Sequence, residues 1–303
     1  MPQGAGRLKQ TAARSDVGRL REGNEDRYVV REDGGTILLA IADGVGGAPG
    51  GEVAADAAVA ELTQRVFRGG DARPIADRLT DAVRDANTAV LRAAEASNFP
   101  QAASTLVAAL VRQDRVVVAN LGDSRAYLVR AGAARQLTDD HSGPIAAGIT
   151  RFVGDPRGVQ PDVFVEDLRA DDRLVLCSDG LTRHVSDDEI ASLASAGSPE
   201  DAAARLVDLA NSRGGEDNVT IVVHAARVTR GVLPSRRQLA VGIFVALVAL
   251  VVGGALALLL SLAPYAPGPS APPSANASPS AAPSASESPS PPPTPTEAPS
   301  ATP

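Results

Sequence analysis

The chain has a single cysteine, Cys177, so no internal disulfide framework can form, and the composition fits a reducing compartment. Within VLCSD that thiol stands in an apolar run, which reads as a buried structural group and not as a nucleophile. Histidine is nearly as scarce, with three copies and no Cys or His pairs at zinc-binding spacing. A basic excess is missing too: the net charge is -7 and the pI about 5.1, against the basic footprint of a nucleic-acid partner. Internal repeats are absent. Charge itself is absent from residues 239–263, and apolar residues become scarce after residue 263.

These gaps divide the chain. Residues 16–225 mix apolar, charged and glycine residues as a globular domain does, behind a short N-terminal extension at 1–15. The charge-free run 239–263 exceeds the roughly 20 residues that cross a bilayer core, and it reads as a transmembrane helix. Its distance from the N-terminus sets it apart from a signal peptide. Arg227, Arg230, Arg236 and Arg237 lie in or beside the linker 226–238, and no Lys or Arg follows the span. The positive-inside rule then keeps the N-terminal domain cytoplasmic and sends residues 264–303 outside. That Pro-, Ser- and Ala-rich tail has too little apolar surface to repay ordering and reads as a disordered spacer.

Short Val-, Ile- and Leu-rich segments bounded by Gly, Asp or Pro predict strands at 28–31, 36–42, 104–111, 115–120, 126–130, 163–167, 173–177 and 218–225. Apolar residues at i, i+3, i+4 and i+7 predict helices over 52–67 and 74–96. Ser186 with Glu189 forms a capping box, Ser198-Pro199 opens a further helix, and Gly214 and Gly215 end it. Runs of strands interrupted by helical blocks predict an α+β domain, most simply an antiparallel sandwich covered by helices.

An Asp-Gly pair alone signals little more than a turn. Here, however, ILLAIAD ends at Asp43, VVVANLGD at Asp123 and RLVLCSD at Asp179, each acid closing an apolar strand. DNVTIVV starts at Asp217, so an antiparallel course brings a fourth acid to the same edge. Like charges that close together would raise one another's pKa unless cations neutralise them. Oxygen ligands without His or Cys select hard ions, Mg²⁺ or Mn²⁺. Two such ions about 4 Å apart would acidify a shared water and orient an in-line attack on a phosphoryl group. Gly44 follows Asp43 and could offer its carbonyl as a ligand, while Gly46, Gly47, Gly50 and Gly51 would leave room for substrate.

With SDVGRLREGNED, IADGVGGAPGGEVAA, NLGDSRAYL, QLTDDHS, LVLCSDGL and EDNVTIVV in one order, the chain resembles the metal-dependent serine/threonine phosphatases called PP2C or PPM, in a bacterial membrane-anchored form. The resemblance spans about 16–225 and implies two antiparallel sheets face to face with helices outside, an αββα sandwich. It further implies that Asp43 bridges two metals, with the Gly44 carbonyl on the first and Asp179 and Asp217 on the second. Asp123 would help hold a third. Asp26 would act through an outer-sphere water, Arg21 would clamp the substrate phosphate, and Asn218 would orient Asp217 or a water. A guanidinium suits the clamp because its planar fork meets two oxygens at once. His141 matches a family position yet equally caps a strand end, and it is not assigned as general acid.

Two departures from the family pattern bear on mechanism. Ala48 stands where many bacterial relatives have a histidine, and only GPIAAG, residues 143–148, replaces a flap of some two dozen residues. The expected activity is hydrolysis of phosphoserine and phosphothreonine on proteins in one displacement, since neither a signature Cys loop nor a GxSxG elbow is present. Topology points to a membrane Ser/Thr kinase or its substrates as partners. The rival expectation is a catalytically weak, metal-binding module that docks phosphoproteins.

Overall fold

In the computed structural model, the described residues are 10–45, 50–68, 73–143, 148–226, 248 and 250–254. Strands β1 (Thr11–Asp16), β2 (Asp26–Asp33), β3 (Thr36–Asp43), β4 (Leu106–Arg112) and β5 (Arg115–Leu121) are followed by β6 (Arg125–Arg130), β7 (Ala133–Gln136), β8 (Asp162–Asp167), β9 (Arg173–Cys177) and β10 (Val219–Ala225). Helices α1 (Gly51–Val66) and α2 (Ile75–Ala96) lie between β3 and β4. A short α3 (Asp179–Thr182), then α4 (Asp187–Ser195) and α5 (Pro199–Ser212), lie between β9 and β10. One sheet runs β1-β10-β9-β6-β7 and the other β2-β3-β4-β5-β8, all pairs antiparallel.

Why β3 is apolar at nearly every position follows from its surroundings. Side chains alternate across a strand, and here both faces are covered. Ile37, Leu39 and Ile41 pack with Val107, Val118, Leu128, Leu174, Leu176 and Val222 in the layer between the sheets. Leu38, Ala40 and Ala42 turn outward onto Ala54, Ala55, Ala58 and Leu62 of α1, in a cluster that α2 completes. Alanine is frequent at that second contact because a small side chain lets helix and sheet approach. On the opposite flank, Tyr127, Val175, Cys177, Ile221 and Val223 meet Ile190, Ala191, Leu206 and Val207 of α4 and α5. The layers are therefore helix, sheet, sheet, helix, as the α+β expectation required.

Both expected caps are present: Ser186 with Glu189 opens α4, and Ser198 with Asp201, followed by Pro199, opens α5. Gln113 adopts a positive φ of 57° in the tight β4–β5 turn. Strands β1 and β7 and helix α3 go beyond the predicted elements. Gly50 takes the positive φ that glycine permits, 102°, at the residue before α1, and Gly51 is buried in its first turn; a Cβ on either would meet Phe99 or Glu25, so neither opens space for substrate. Gly46, Gly47 and Ala48 lie outside the described residues, as do residues 144–147 of the short flap segment. The expected span 239–263 also falls outside them, apart from 248 and 250–254, which are helical. Among the described residues no helix is long and apolar enough to cross a membrane.

Leu39 has no solvent exposure and sits in the layer that joins the two sheets. Leu39→Ala should destabilise the domain by about 3 kcal/mol, the transfer loss plus a cavity, read as a lower urea midpoint at unchanged slope.

Candidate metal centre

The topology itself gathers the acids. β3 and β5 each pair antiparallel with β4, so they run in the same direction and end at one edge. Asp43 closes β3, and Asp123 follows β5 after Leu121 and Gly122. In the facing sheet β9 ends at Cys177 just before Asp179, and antiparallel β10 begins at Val219 just after Asp217. Asp26 opens β2 and lies opposite Asp43 in register. Asp43, Asp123, Asp179 and Asp217 line one cavity of about 420 Å³, with Gly44, Arg21 and Arg183 on its wall.

Asp43, Asp26, Asp217 and Asp179 are held by identifiable bonds. The Asp43 carbonyl accepts from Ser104 Oγ at 2.8 Å and from the Thr105 N–H at 2.8 Å, while its own N–H donates to Thr105 Oγ1 at 3.1 Å. Asp26 is buried, and its Oδ2 accepts from Ser178 Oγ at 2.8 Å. Asp217 Oδ1 accepts the Asn218 N–H at 2.9 Å, and Asp217 pairs with Arg21 Nη2 at 2.9 Å. Asp179 pairs with Arg183. Close backbone packing completes the wall: a Cβ on Gly180 would lie 2.0 Å from the Asn218 carbonyl oxygen, and one on Gly44 would lie 2.6 Å from the Gly51 carbonyl carbon.

Electrostatically the cluster is costly. Burial, with Asp26, Asp179, Asp217 and Asp123 nearby, raises Asp43 well above its ordinary carboxyl range. Burial pushes Asp26 up to about 6 against the hydroxyl bonds that stabilise its charge. Burial and the Asp179 charge push Asp123 to about 6. Oδ1 of Asp26 and Oδ1 of Asp123 are both buried without a hydrogen-bond partner. Among the described residues no three acids, histidines or cysteines form a finished ligand cluster; the guanidinium groups of Arg21 and Arg183 instead bond to Asp217 and Asp179. Oxygen-only donors, unpartnered buried carboxylate atoms and uncompensated charge fit hard divalent cations.

Two residues singled out in the sequence have scaffolding contacts, and His141 takes the strand-end position expected of it. The Asn218 amide faces away from Asp217: Nδ2 donates to the carbonyls of Val17 and Gly23 at 2.9 Å, and Oδ1 accepts the Glu25 N–H at 2.8 Å. It fastens the 17–25 loop that carries Arg21, and only its backbone N–H touches Asp217. His141 is buried, its Nδ1 accepting from the Gly122 N–H at 3.1 Å and its Nε2 lying 2.8 Å from Asp162 Oδ2. It braces the Asp123 turn and faces no reacting group. The short flap segment closes at its base, where Gly143 N–H donates to the Gly148 carbonyl at 3.0 Å. Cys177 is fully buried and its thiol is pushed up to about 12 by burial, which fits its structural reading. Arg183 was not singled out from the sequence, although an acid followed by arginine four positions later marks a helical ion pair.

A carboxylate-rimmed cavity at one end of a helix-flanked double sheet defines a metal-dependent class of protein. The family model for protein phosphatase 2C matches residues 19–213. The serine/threonine protein phosphatase PstP of Mycobacterium tuberculosis is 36% identical over 234 residues, covering 70% of this chain and 44% of that protein. This chain thus spans less than half the length of that relative. The serine/threonine phosphatase stp of Listeria monocytogenes is 35% identical over 235 residues, covering 69% of this chain and 93% of its own. A crystal structure of the PstP catalytic domain with two manganese ions superposes with a TM-score of 0.63 at 35% identity, over 71% of this chain and 96% of that one. The chain belongs to the protein phosphatase 2C family.

Raised carboxyl pKa values set a pH dependence for the protein in EDTA. Asp26 and Asp123 bind protons more tightly folded than unfolded, where the ordinary value is 3.8. Their contribution is present at low pH and is lost as pH rises through about 6. Melting temperature in EDTA should therefore fall between about pH 4 and 6, and added Mn²⁺ should offset the fall; a rise across that range in EDTA alone would refute it.

Proposed function

We propose that the chain hydrolyses phosphoserine and phosphothreonine monoesters on proteins, using Mn²⁺ or Mg²⁺. The observation that carries this reading is the convergence of Asp43, Asp123, Asp179 and Asp217 on one cavity with Arg21 at its wall. Asp43, the Gly44 carbonyl, Asp179 and Asp217 would hold two ions, Asp123 would contribute to a third, and Asp26 stands behind Asp43. When bound, such ions acidify water and place positive charge against phosphoryl oxygens.

The remaining work falls to this chain's own side chains. Arg21 is partly exposed, so its guanidinium can leave Asp217 for two oxygens of the substrate phosphate. Asn218 keeps the Arg21 loop in place through three side-chain bonds. Water oxygen attacks phosphorus, the bond to the serine or threonine oxygen breaks, and the departing alkoxide takes a proton. Position 48 is alanine and His141 is engaged with Gly122 and Asp162, so water in the cavity, free or held by an ion, would have to supply that proton.

The charge-free run 239–263 after four arginines supports a single-pass anchor with the catalytic domain on the cytoplasmic side and the tail outside. There the enzyme would oppose membrane Ser/Thr kinases on shared phosphoprotein substrates.

Purified residues 1–235 should release phosphate from a phosphothreonine peptide in Mn²⁺ and cease to do so in EDTA. Asp179→Asn and Asp217→Asn should each lower turnover by orders of magnitude, and full activity of Asp43→Asn would refute the two-metal assignment. Arg21→Ala should chiefly raise KM, because the clamp binds ground and transition states alike. Metal uptake without turnover would favour a phosphoprotein-binding module instead.

A further inference from the structure

Arg183 has no part in the roles above, yet its side chain stands among the acids. Its Nε donates to Asp179 Oδ2 at 3.0 Å, Nη2 bonds to the same oxygen, and Nη2 lies 3.8 Å from Asp217 Oδ2. One cation thus spans the two carboxylates that the proposed function gives to one metal position. The two sides of this contact differ in freedom. Asp179 and Asp217 side chains are each 17% exposed, whereas that of Arg183 is 50% exposed.

Two arginines elsewhere in the domain, Arg125 and Arg130, are each anchored by more than one group. Arg125 is fixed by Asp140 on two nitrogens and by the Tyr127 hydroxyl, and Arg130 by Asp172 and the Asp167 carbonyl. For the Arg183 guanidinium, the hydrogen bonds among the described residues go to Asp179 alone, and its long aliphatic stem allows the head to swing into solvent. A half-exposed ion pair of this kind is weak and can open.

We infer that Arg183 is a displaceable internal cation that occupies Asp179 and Asp217 and competes with the divalent metal for them, setting the affinity of the centre. The inference rests on the metal-dependent reading above. Closed, the pair compensates carboxylate charge in the metal-free protein; open, it exposes the ligands. Metal affinity is then reduced by the fraction of molecules whose ligands are free.

The test is calorimetric titration of Mn²⁺ into the full-length, detergent-solubilised protein, alongside its melting temperature in EDTA. Arg183→Gln should bind Mn²⁺ about fivefold more tightly than wild type, the scale set by a weak exposed pair, while melting lower in EDTA. These opposite signs are diagnostic, since a purely structural role would weaken both. Arg183→Lys, which keeps the charge but loses the planar fork, should fall between the two. Unchanged or weaker Mn²⁺ binding by Arg183→Gln would overturn the inference, as would Arg183→Lys matching wild type, which would assign the effect to net charge alone. No Mn²⁺ uptake by any of the three proteins would overturn the metal reading itself.

Discussion

Mutual repulsion among buried carboxylates is the constraint around which this domain is arranged. Asp43 is raised by burial and then by four neighbouring acids, and Asp26 and Asp123 are each pushed to about 6. A cluster this unfavourable persists only where rigid surroundings prevent it from relaxing. The surroundings here are two sheets buried on both faces, whose strand ends fix the acids before any ligand arrives. The core therefore has two effects at once. It contributes the hydrophobic stability of the fold, and it commits part of that stability to holding charges that would otherwise separate.

Compensation reaches the acids in graded forms. Asp26 receives the Ser178 hydroxyl, a neutral donor that is itself fixed by the Thr220 backbone. Asp217 and Asp179 receive guanidinium groups, which are charged but tethered on partly exposed side chains. Asp43 has neither: apart from the neighbouring Asp26 carboxyl its bonds run through its backbone, and its carboxylate faces the cavity. The acid with the most carboxylate neighbours is thus the one with the greatest demand for a mobile cation. A divalent ion satisfies that demand with two charges on one centre, which no single side chain of this protein can supply.

Much of this was legible in the sequence because the signals were strong and local. An apolar strand that stops on an acid is readable from ILLAIAD, and three repeats of the pattern were enough to predict one shared edge. The elements left unpredicted are those that carry little apolar signal. β1, TAARSD, is an edge strand held by the ladder to β10, and β7, AARQ, is a four-residue edge beside β6. Their stability comes from backbone hydrogen bonds, which leave almost no trace in side-chain pattern. The side-chain contacts of Asn218 were illegible for a related reason. Its contacts lie about two hundred residues away in the 17–25 loop, and sequence proximity drew attention to Asp217 instead.

Glycine beside the metal-site acids also changes meaning once the backbone is visible. In sequence, Asp43-Gly44 and Asp179-Gly180 suggest flexibility. In the structure neither glycine has positive φ, so conformational freedom is not the reason for it. What both share is crowding. At Gly180 the Asn218 carbonyl oxygen occupies the place where a Cβ would project, and at Gly44 the Gly51 backbone does. Any larger residue would force these chain segments apart, and Asp179 would then move away from Asp217, its partner across the cavity. The glycines act by letting two stretches of backbone touch, and that contact draws together acids that electrostatics alone would drive apart.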